Sequence, residues 1–345
     1  MTTKHFISWD LGGTKCAAGL IEYQSEKNTY TCLQKTHVFL HETTSLYDLV
    51  HRIEADLELS MHDVNAICIG AAGQYNGTSL VLENGYPYPM MFAEVALHFN
   101  WPNYAIIHDY ATVLCGTFTQ YLYSPQFVKR LNQVNIPIFE RRLAFGIGTG
   151  LGGKDGLLLA NGDFWLGSNE IGFIGLPALL HDEQKMHQEL LTYLHHDHHN
   201  PCVVFENILS GSGLQILYHF LYPTLPLIST IEIGDLMQQG KVSELTDLFA
   251  WYLGVFVATL QLAFMPGGGI WMTGGILLKH PDLVKRESFK QGINALPAYS
   301  AERNVFPLGI LHDPDWPLIG AAFYANRRLQ TQQEAEKNLH VVNVV

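Results

Sequence analysis

The chain opens on apolar and alternating runs of strand length at His5–Trp9, Lys15–Tyr23 and Thr29–Leu40, with a tight glycine turn between the first two. This pattern predicts a β-meander. From residue 45 to 60 the period changes: Leu46, Leu49, Val50, Ile53 and Leu57 recur at helical spacing, so an amphipathic helix follows. Ala66–Ile69 reads as a buried strand, residues 90–99 as a helix, and Tyr104–Ile107 as a second buried strand. A helix over Tyr110–Tyr123 then opens directly after His108 and Asp109. From Arg142 the strand, glycine turn, strand arrangement recurs as LAFGIGTG and LGGKDGLLLA, an echo in architecture and not in residue identity. Further on, helices are expected at about 180–196, 204–222 and 231–264, and strands at Ile270–Thr273 and about Phe306–Leu311. A last helix runs from Trp316 to Leu329, and a polar tail trails off from Thr331.

This alternation is that of an α/β protein, and 345 residues exceed one ordinary domain. The seam is expected between residues 110 and 140. A small domain would hold residues 1–115 with the last helix, about 316–330, crossing back to it; a large one would hold 116–315. Composition adds a compact, turn-rich character: 48% hydrophobic residues, 15% charged residues and 31 glycines. A formal net charge of -12, without any cluster of Lys and Arg, argues against nucleic acid as a partner. Cys16, Cys32, Cys68, Cys115 and Cys202 form no C-x-x-C pair and read as reduced thiols. The first residues run straight into a strand with no signal-peptide core, so a cytoplasmic location is expected. The uncharged stretch Leu248–Met265 reaches the lower edge of membrane-spanning length. Its Gly254, Thr259 and Gln261, and the Pro266 that ends it, suit a buried helix better, and no membrane association is expected.

Three glycine-rich motifs carry the candidate chemistry. In Asp10-Leu11-Gly12-Gly13-Thr14-Lys15 two adjacent glycines let several backbone N–H groups approach a phosphate closely, and Thr14 adds a hydroxyl donor. The Asp10 carboxylate cannot bind phosphate directly; its expected part is to hold a hydrated Mg²⁺. A plain glycine hairpin in which Asp10 satisfies backbone donors is the structural alternative. Gly146-Ile147-Gly148-Thr149-Gly150-Leu151-Gly152-Gly153 occupies the equivalent turn of the second unit. Neither motif has the sequence of a Walker A or a Rossmann loop. In the third, Pro266–Ile276, a short strand ends in Gly274-Gly275, where bare backbone suits stacking of an adenine ring or, equally, close packing of helix on strand.

With these motifs in place, the chain resembles the bacterial glucokinases of the actin-like ATPase and sugar kinase superfamily over roughly residues 5–328. Ser210–Leu214 matches the S-G-x-G-L element, 274–276 matches G-G-I, and His312-Asp313 precedes Leu318-Ile319-Gly320-Ala321. The resemblance implies two domains of ribonuclease H-like topology with an interdomain cleft that takes ATP, Mg²⁺ and a hexose, and a homodimer. It also makes Asp109 the base that removes the proton from the sugar hydroxyl, a role phosphoryl transfer needs on physical grounds too. An N-cap role for Asp109 is compatible with catalysis. Asp10, Leu11, Gly12, Gly13, Thr14, Gly148, Thr149, Gly150, Gly274 and Gly275 then hold the nucleotide, and Asn84, His108, Asp109, Glu170 and Glu206 the sugar.

Two positions depart from the family: its Asn is His108 and its His is Phe173. Loss of a polar partner in a buried sugar site costs about 1–3 kcal/mol, so hexose identity is open. Transfer to the 6-hydroxyl of glucose is the first expectation. A kinase for mannose or an N-acetylated hexosamine, and a sugar sensor with weak or no catalysis, are the alternatives. The cluster His195-His196-Asp197-His198-His199 is a weak metal motif, because consecutive histidines in a loop do not easily converge on one ion.

Overall fold

The computed structural model describes residues 3–82, 86, 89–177, 185–196, 202–313 and 315–342, with side chains as far as residue 332. The first half comprises strands β1 (Thr3–Leu11), β2 (Lys15–Gln24) and β3 (Thr29–Phe39), helix α1 (Leu46–Asp56), and strands β4 (Ala66–Ala71), β5 (Gly73–Tyr75) and β6 (Leu80–Leu82). Helix α2 (Phe92–His98), strand β7 (Tyr104–His108) and helix α3 (Asp109–Gly116) follow. Next come β8 (Val128–Arg130), β9 (Arg142–Ile147), β10 (Leu151–Leu158) and β11 (Phe164–Leu166), and helices α4 (Lys185–His196), α5 (Gly211–Leu221), α6 (Thr230–Gln238) and α7 (Ser243–Phe264). The chain ends through β12 (Ile270–Thr273), α8 (Gly275–Lys279), α9 (Glu287–Asn294), α10 (Ser300–Arg303), β13 (Leu308–Leu311) and α11 (Trp316–Val342).

The chain divides into two compact units, one of Met1–Val128, Gly156–Leu166 and Asp313–Val345, the other of Lys129–Asp155 and Gly167–His312. The first unit runs beyond residue 115 and takes in the 156–166 segment as well as the final helix. Its sheet has the order β3-β2-β1-β4-β7, with β1, β4 and β7 parallel and β1 antiparallel to β2. The second unit carries β10-β9-β12-β13-β8, in which β9, β12 and β13 are parallel. Each unit therefore places a glycine turn after the first strand of a parallel set, as the echo in the sequence predicts.

Five elements differ from the sequence reading. The helix expected over 204–222 is a 3₁₀ turn at Phe205–Asn207 followed by α5 from Gly211, where Ser210 caps the helix. The stretch 231–264 is two helices, because Gly240, at φ +69°, ends α6 in a C-terminal motif: Gly240 N–H donates to Met237 O and Lys241 N–H to Leu236 O. Ser229 starts that helix with a reciprocal cap to Glu232. Helix α3 stops at Gly116 and is followed by a short 3₁₀ turn at Gln120–Tyr123. The strand expected from about Phe306 begins at Leu308. The final helix continues past Thr331 to Val342, where most residues are good helix formers.

Helix α7 is long and apolar enough to cross a membrane, yet Phe249, Leu253, Val255, Phe256 and Val257 lie fully buried in the core of the second unit with Phe145 and Phe205. The described cysteines are all free thiols.

In the first unit the two faces of the sheet are covered differently. Ile7, Trp9 and Leu11 pack with Leu49, Ile53, Phe92 and Trp101, whereas Phe6, Ala66 and Cys68 pack with Ile319, Ala322 and Phe323 of α11. On that second face α3 is wedged around the fully buried Thr112. A Cβ at Gly70 of β4 would stand 2.6 Å from the Thr112 methyl, and one at Gly320 of α11 would overlap the Thr112 carbonyl oxygen. Trp316 locks the far end, its Nε1–H donating to Val113 O at 2.7 Å. Adding one methyl at Gly320 should therefore force α3 or α11 to shift. Gly320→Ala is expected to destabilise the protein by about 1–3 kcal/mol in urea or thermal unfolding; unchanged stability would show that the helices are not this close.

Candidate functional site

In the first unit, β1 and β7 are separated by β4, and their C-terminal ends present Asp10 and Asp109 on the face covered by α3. Asp10 pairs with Gly70, which in turn pairs with Ile107, so only a side-chain-free position intervenes in the sheet between the two acids' strands. Burial, and then the negative charge of Asp109, push the Asp10 carboxyl up to about 6, against a smaller opposing effect of Lys15. The two carboxylates thus share one electrostatic neighbourhood. Past Asp10, Gly12 N–H donates to Lys15 O at 3.0 Å, Leu40 N–H to Thr14 O at 2.9 Å, and Ala72 N–H to Leu11 O at 3.0 Å, leaving Gly12 and Gly13 half-buried and Thr14 exposed.

Asp109 is the first residue of α3, and its Oδ1 accepts from Tyr110 N–H at 2.7 Å. His108 Nδ1 lies 2.7 Å from the same oxygen and 3.3 Å from Tyr110 N. Because Tyr110 N–H already has its acceptor, placing the proton on Nδ1 makes His108 a donor to Asp109. In that tautomer the 2.7 Å contact would orient the carboxylate, making His108 a neighbour that can position the candidate base.

The second unit holds the other glycine turns. Gly148 N–H donates to Gly150 O at 2.9 Å, and Gly211 N–H, at the start of α5, donates to Gly148 O at 2.8 Å. Gly274, at φ +98°, lies against the backbone of Ile147, so a side chain there is excluded both by conformation and by space. Positions that would carry a Cβ at Gly148 and Gly275 face open space, and both residues line a cavity of about 270 Å³. Leu214, Ile231 and Ile276 give it apolar walls, with Asp235 and Gln238 as polar groups. Apolar walls with exposed glycine backbone and a few polar groups suit a flat heteroaromatic ring.

Glu170 and Glu206, the acids that the sequence reading assigns to the sugar, lie within the second unit as well. Glu170 is 58% exposed and pairs through Oε1 with Lys154 Nζ at 2.6 Å; Glu206 Oε2 accepts from Leu151 N–H at 2.8 Å. Phe173 is 63% exposed. Asn84 lies outside the described residues, as do Asp197, His198 and His199; His195 and His196 end α4 with rings 5.2 Å apart. Among the described residues no group of three or more His, Cys, Asp or Glu could hold a metal ion.

Sequence reading missed Lys154 and Asp155. Both are buried in β10, where Lys154 also donates to Asn169 O, and Asp155 accepts from Asn169 Nδ2 and from Gly167 N–H. Together they fix the 167–170 loop. A charged pair inside an otherwise apolar strand was the available signal, since buried charges persist only when paired.

A family model described as glucokinase matches residues 7–328. The glucokinase of Trichormus variabilis is 24% identical over 355 residues, covering 93% of this chain and 98% of the relative. Among solved structures, a glucokinase from an Antarctic psychrotroph superposes at a TM-score of 0.81 with 21% identity, covering 94% of this chain and 99% of that one. A ROK family glucokinase from Streptomyces griseus, in complex with glucose and AMPPNP, gives a TM-score of 0.61 at 19% identity, with 94% and 99% covered. These likenesses show the two-domain α/β fold of the actin-like ATPases and sugar kinases.

The raised Asp10 carboxyl has a consequence for stability. A folded-state pKa of about 6, above the ordinary carboxylate value near 4, means that ionised Asp10 penalises the folded state, beginning above about pH 4 and completely above about pH 6. Asp10→Asn is therefore expected to raise the midpoint of thermal unfolding at pH 7.5 in the absence of ligand, with the gain shrinking as pH falls from 6 to 4. A gain that does not change with pH would contradict the assignment.

Proposed function

The chain belongs to the glucokinase family, and from that premise we propose that it moves the γ-phosphate of ATP onto the 6-hydroxyl of glucose with Asp109 as general base. One observation carries the residue assignment: Asp109 directly follows β7, heads α3, and adds its charge to the burial that raises the Asp10 carboxyl. In the reaction Asp109 accepts the hydroxyl proton as the sugar oxygen bonds to the γ-phosphorus, and the bond to the β-phosphate oxygen breaks to release ADP. His108 orients the base by its 2.7 Å contact.

Gly13 and Thr14 in the first unit and Thr149 and Gly150 in the second donate to phosphate oxygens. Gly12 and Gly148 use their own N–H groups to close the two turns and let the backbone approach, and Gly275, Ile231 and Ile276 take the adenine. A buried carboxyl raised by its burial and then by a neighbouring negative charge suits a divalent cation, and Asp10 is the residue that would hold a hydrated Mg²⁺. When bound, that ion neutralises charge on the β- and γ-phosphate oxygens. Asn84, Glu170 and Glu206 are the proposed hexose ligands beside His108 and Asp109, on the strength of the family pattern. The same pattern extends the proposal to a homodimer, and the free cysteines to a cytoplasmic enzyme.

A second reading, a kinase for another hexose such as mannose or an N-acetylated hexosamine, is favoured by Phe173. An exposed aromatic ring stands there where the family has a hydrogen-bonding histidine.

A coupled assay of ADP release across a hexose panel tests both readings. Glucose should support the fastest release, and Asp109→Ala should lower kcat by about 10²–10⁴-fold while AMPPNP affinity stays within about threefold. Undiminished turnover in that variant would remove Asp109 from the mechanism, and silence with every sugar would favour a sensor.

A further inference from the structure

The second glycine turn is held by a group that phosphate binding does not require. Both ends of the Gly150–Leu151 peptide are engaged: its carbonyl accepts from Gly148 N–H at 2.9 Å, and its N–H donates to Glu206 Oε2 at 2.8 Å. The carboxylate also lies against Gly150, where a Cβ would stand only 2.8 Å from the same oxygen. Glu206 is itself anchored. Ser210 Oγ donates to its carbonyl at 2.7 Å and accepts from Gly213 N–H at 3.0 Å, which caps α5. Gly211 N–H closes the ring by donating to Gly148 O at 2.8 Å.

A glycine-containing peptide flips readily, because glycine populates both signs of φ at little cost. Within this ring the flip is blocked, and the Leu151 N–H is committed to a carboxylate and withheld from any phosphate. A negative charge beside a phosphate turn also opposes an anion. The structure assigns Glu206 the part of a positioning residue that locks the Gly150–Leu151 peptide and couples hexose occupancy to the nucleotide turn. A sugar hydroxyl that donates to this carboxylate draws it from Leu151, and the freed N–H becomes one more donor for phosphate. The coupling half of the inference rests on the proposed role of Glu206 as a hexose ligand; the lock rests on the geometry of this one turn.

Two readouts test it. The first is hydrogen exchange at the Leu151 amide without any sugar or nucleotide. Loss of a charge-assisted hydrogen bond should speed exchange by about tenfold in Glu206→Ala, whereas Glu206→Gln keeps an acceptor oxygen and should stay near the wild-type rate. Equal rates in wild type and Glu206→Ala would overturn the lock, whether or not glucose is a substrate.

The second is calorimetric titration of AMPPNP with and without saturating glucose. In the wild type, glucose should tighten AMPPNP binding by about tenfold, within the range usual for coupled sites. In Glu206→Ala the ratio should fall to within about twofold of one. A ratio kept at the wild-type value would make Glu206 a sugar ligand only and overturn the coupling. Should Glu206→Ala not fold, glucose alone must speed Leu151 exchange in the wild type, and a rate unchanged by glucose would equally overturn it. Loss of hexose-dependent ADP release in the wild type would instead count against the proposed function.

Discussion

Everything in the first unit's site depends on how closely α3 approaches the sheet. Thr112 sits between two positions without side chains, Gly70 below and Gly320 above, and its own hydroxyl donates to Asp109 O at 2.5 Å. A helix held further out would carry its first residue away from the end of β1. Held here, it brings the Asp109 charge to bear on Asp10, whose carboxyl is raised well above its usual range by burial first and by that charge second. Burial and a like charge together disfavour the ionised form, and a cation or a proton at Asp10 relieves both.

The two glycine turns solve the same problem with different supports. The first is braced by strand backbone alone, through the bonds that Gly12, Leu40 and Ala72 donate. The second is braced by the N-terminus of α5 and by a side chain, Glu206. Backbone braces hold one shape, whereas a carboxylate can be drawn to another partner. In the proposed coupling, the second turn is therefore the place where the state of the sugar is felt by the nucleotide.

The sequence made the longer strands, both glycine turns and the aspartate after a buried strand legible because each is a local pattern: apolar runs, adjacent glycines, a charge just past a buried strand. The three-residue strands β5, β6, β8 and β11 are too short to show one. Contacts between distant segments were not legible. Nothing near Gly70 or Gly320 announces Thr112 as their common neighbour, and nothing near Glu206 shows that Leu151 takes its carboxylate. The break at Gly240 was readable in principle, since a glycine followed by a new start at Val242 and Ser243 is a common helix end, but the apolar period on both sides concealed it. The length of α11 beyond Thr331 escaped because polar helix formers look like a solvated tail when no apolar stripe marks a face.

The claim beneath the functional account is that Asp10 and Asp109 form one charged centre. Carbon-detected NMR titration of the Asp10 carboxyl, in the ligand-free protein and in Asp109→Asn, measures it directly. The account predicts a midpoint near 6 that falls when the Asp109 charge is removed. An Asp10 that titrates near the ordinary value of about 4, indifferent to residue 109, would contradict it.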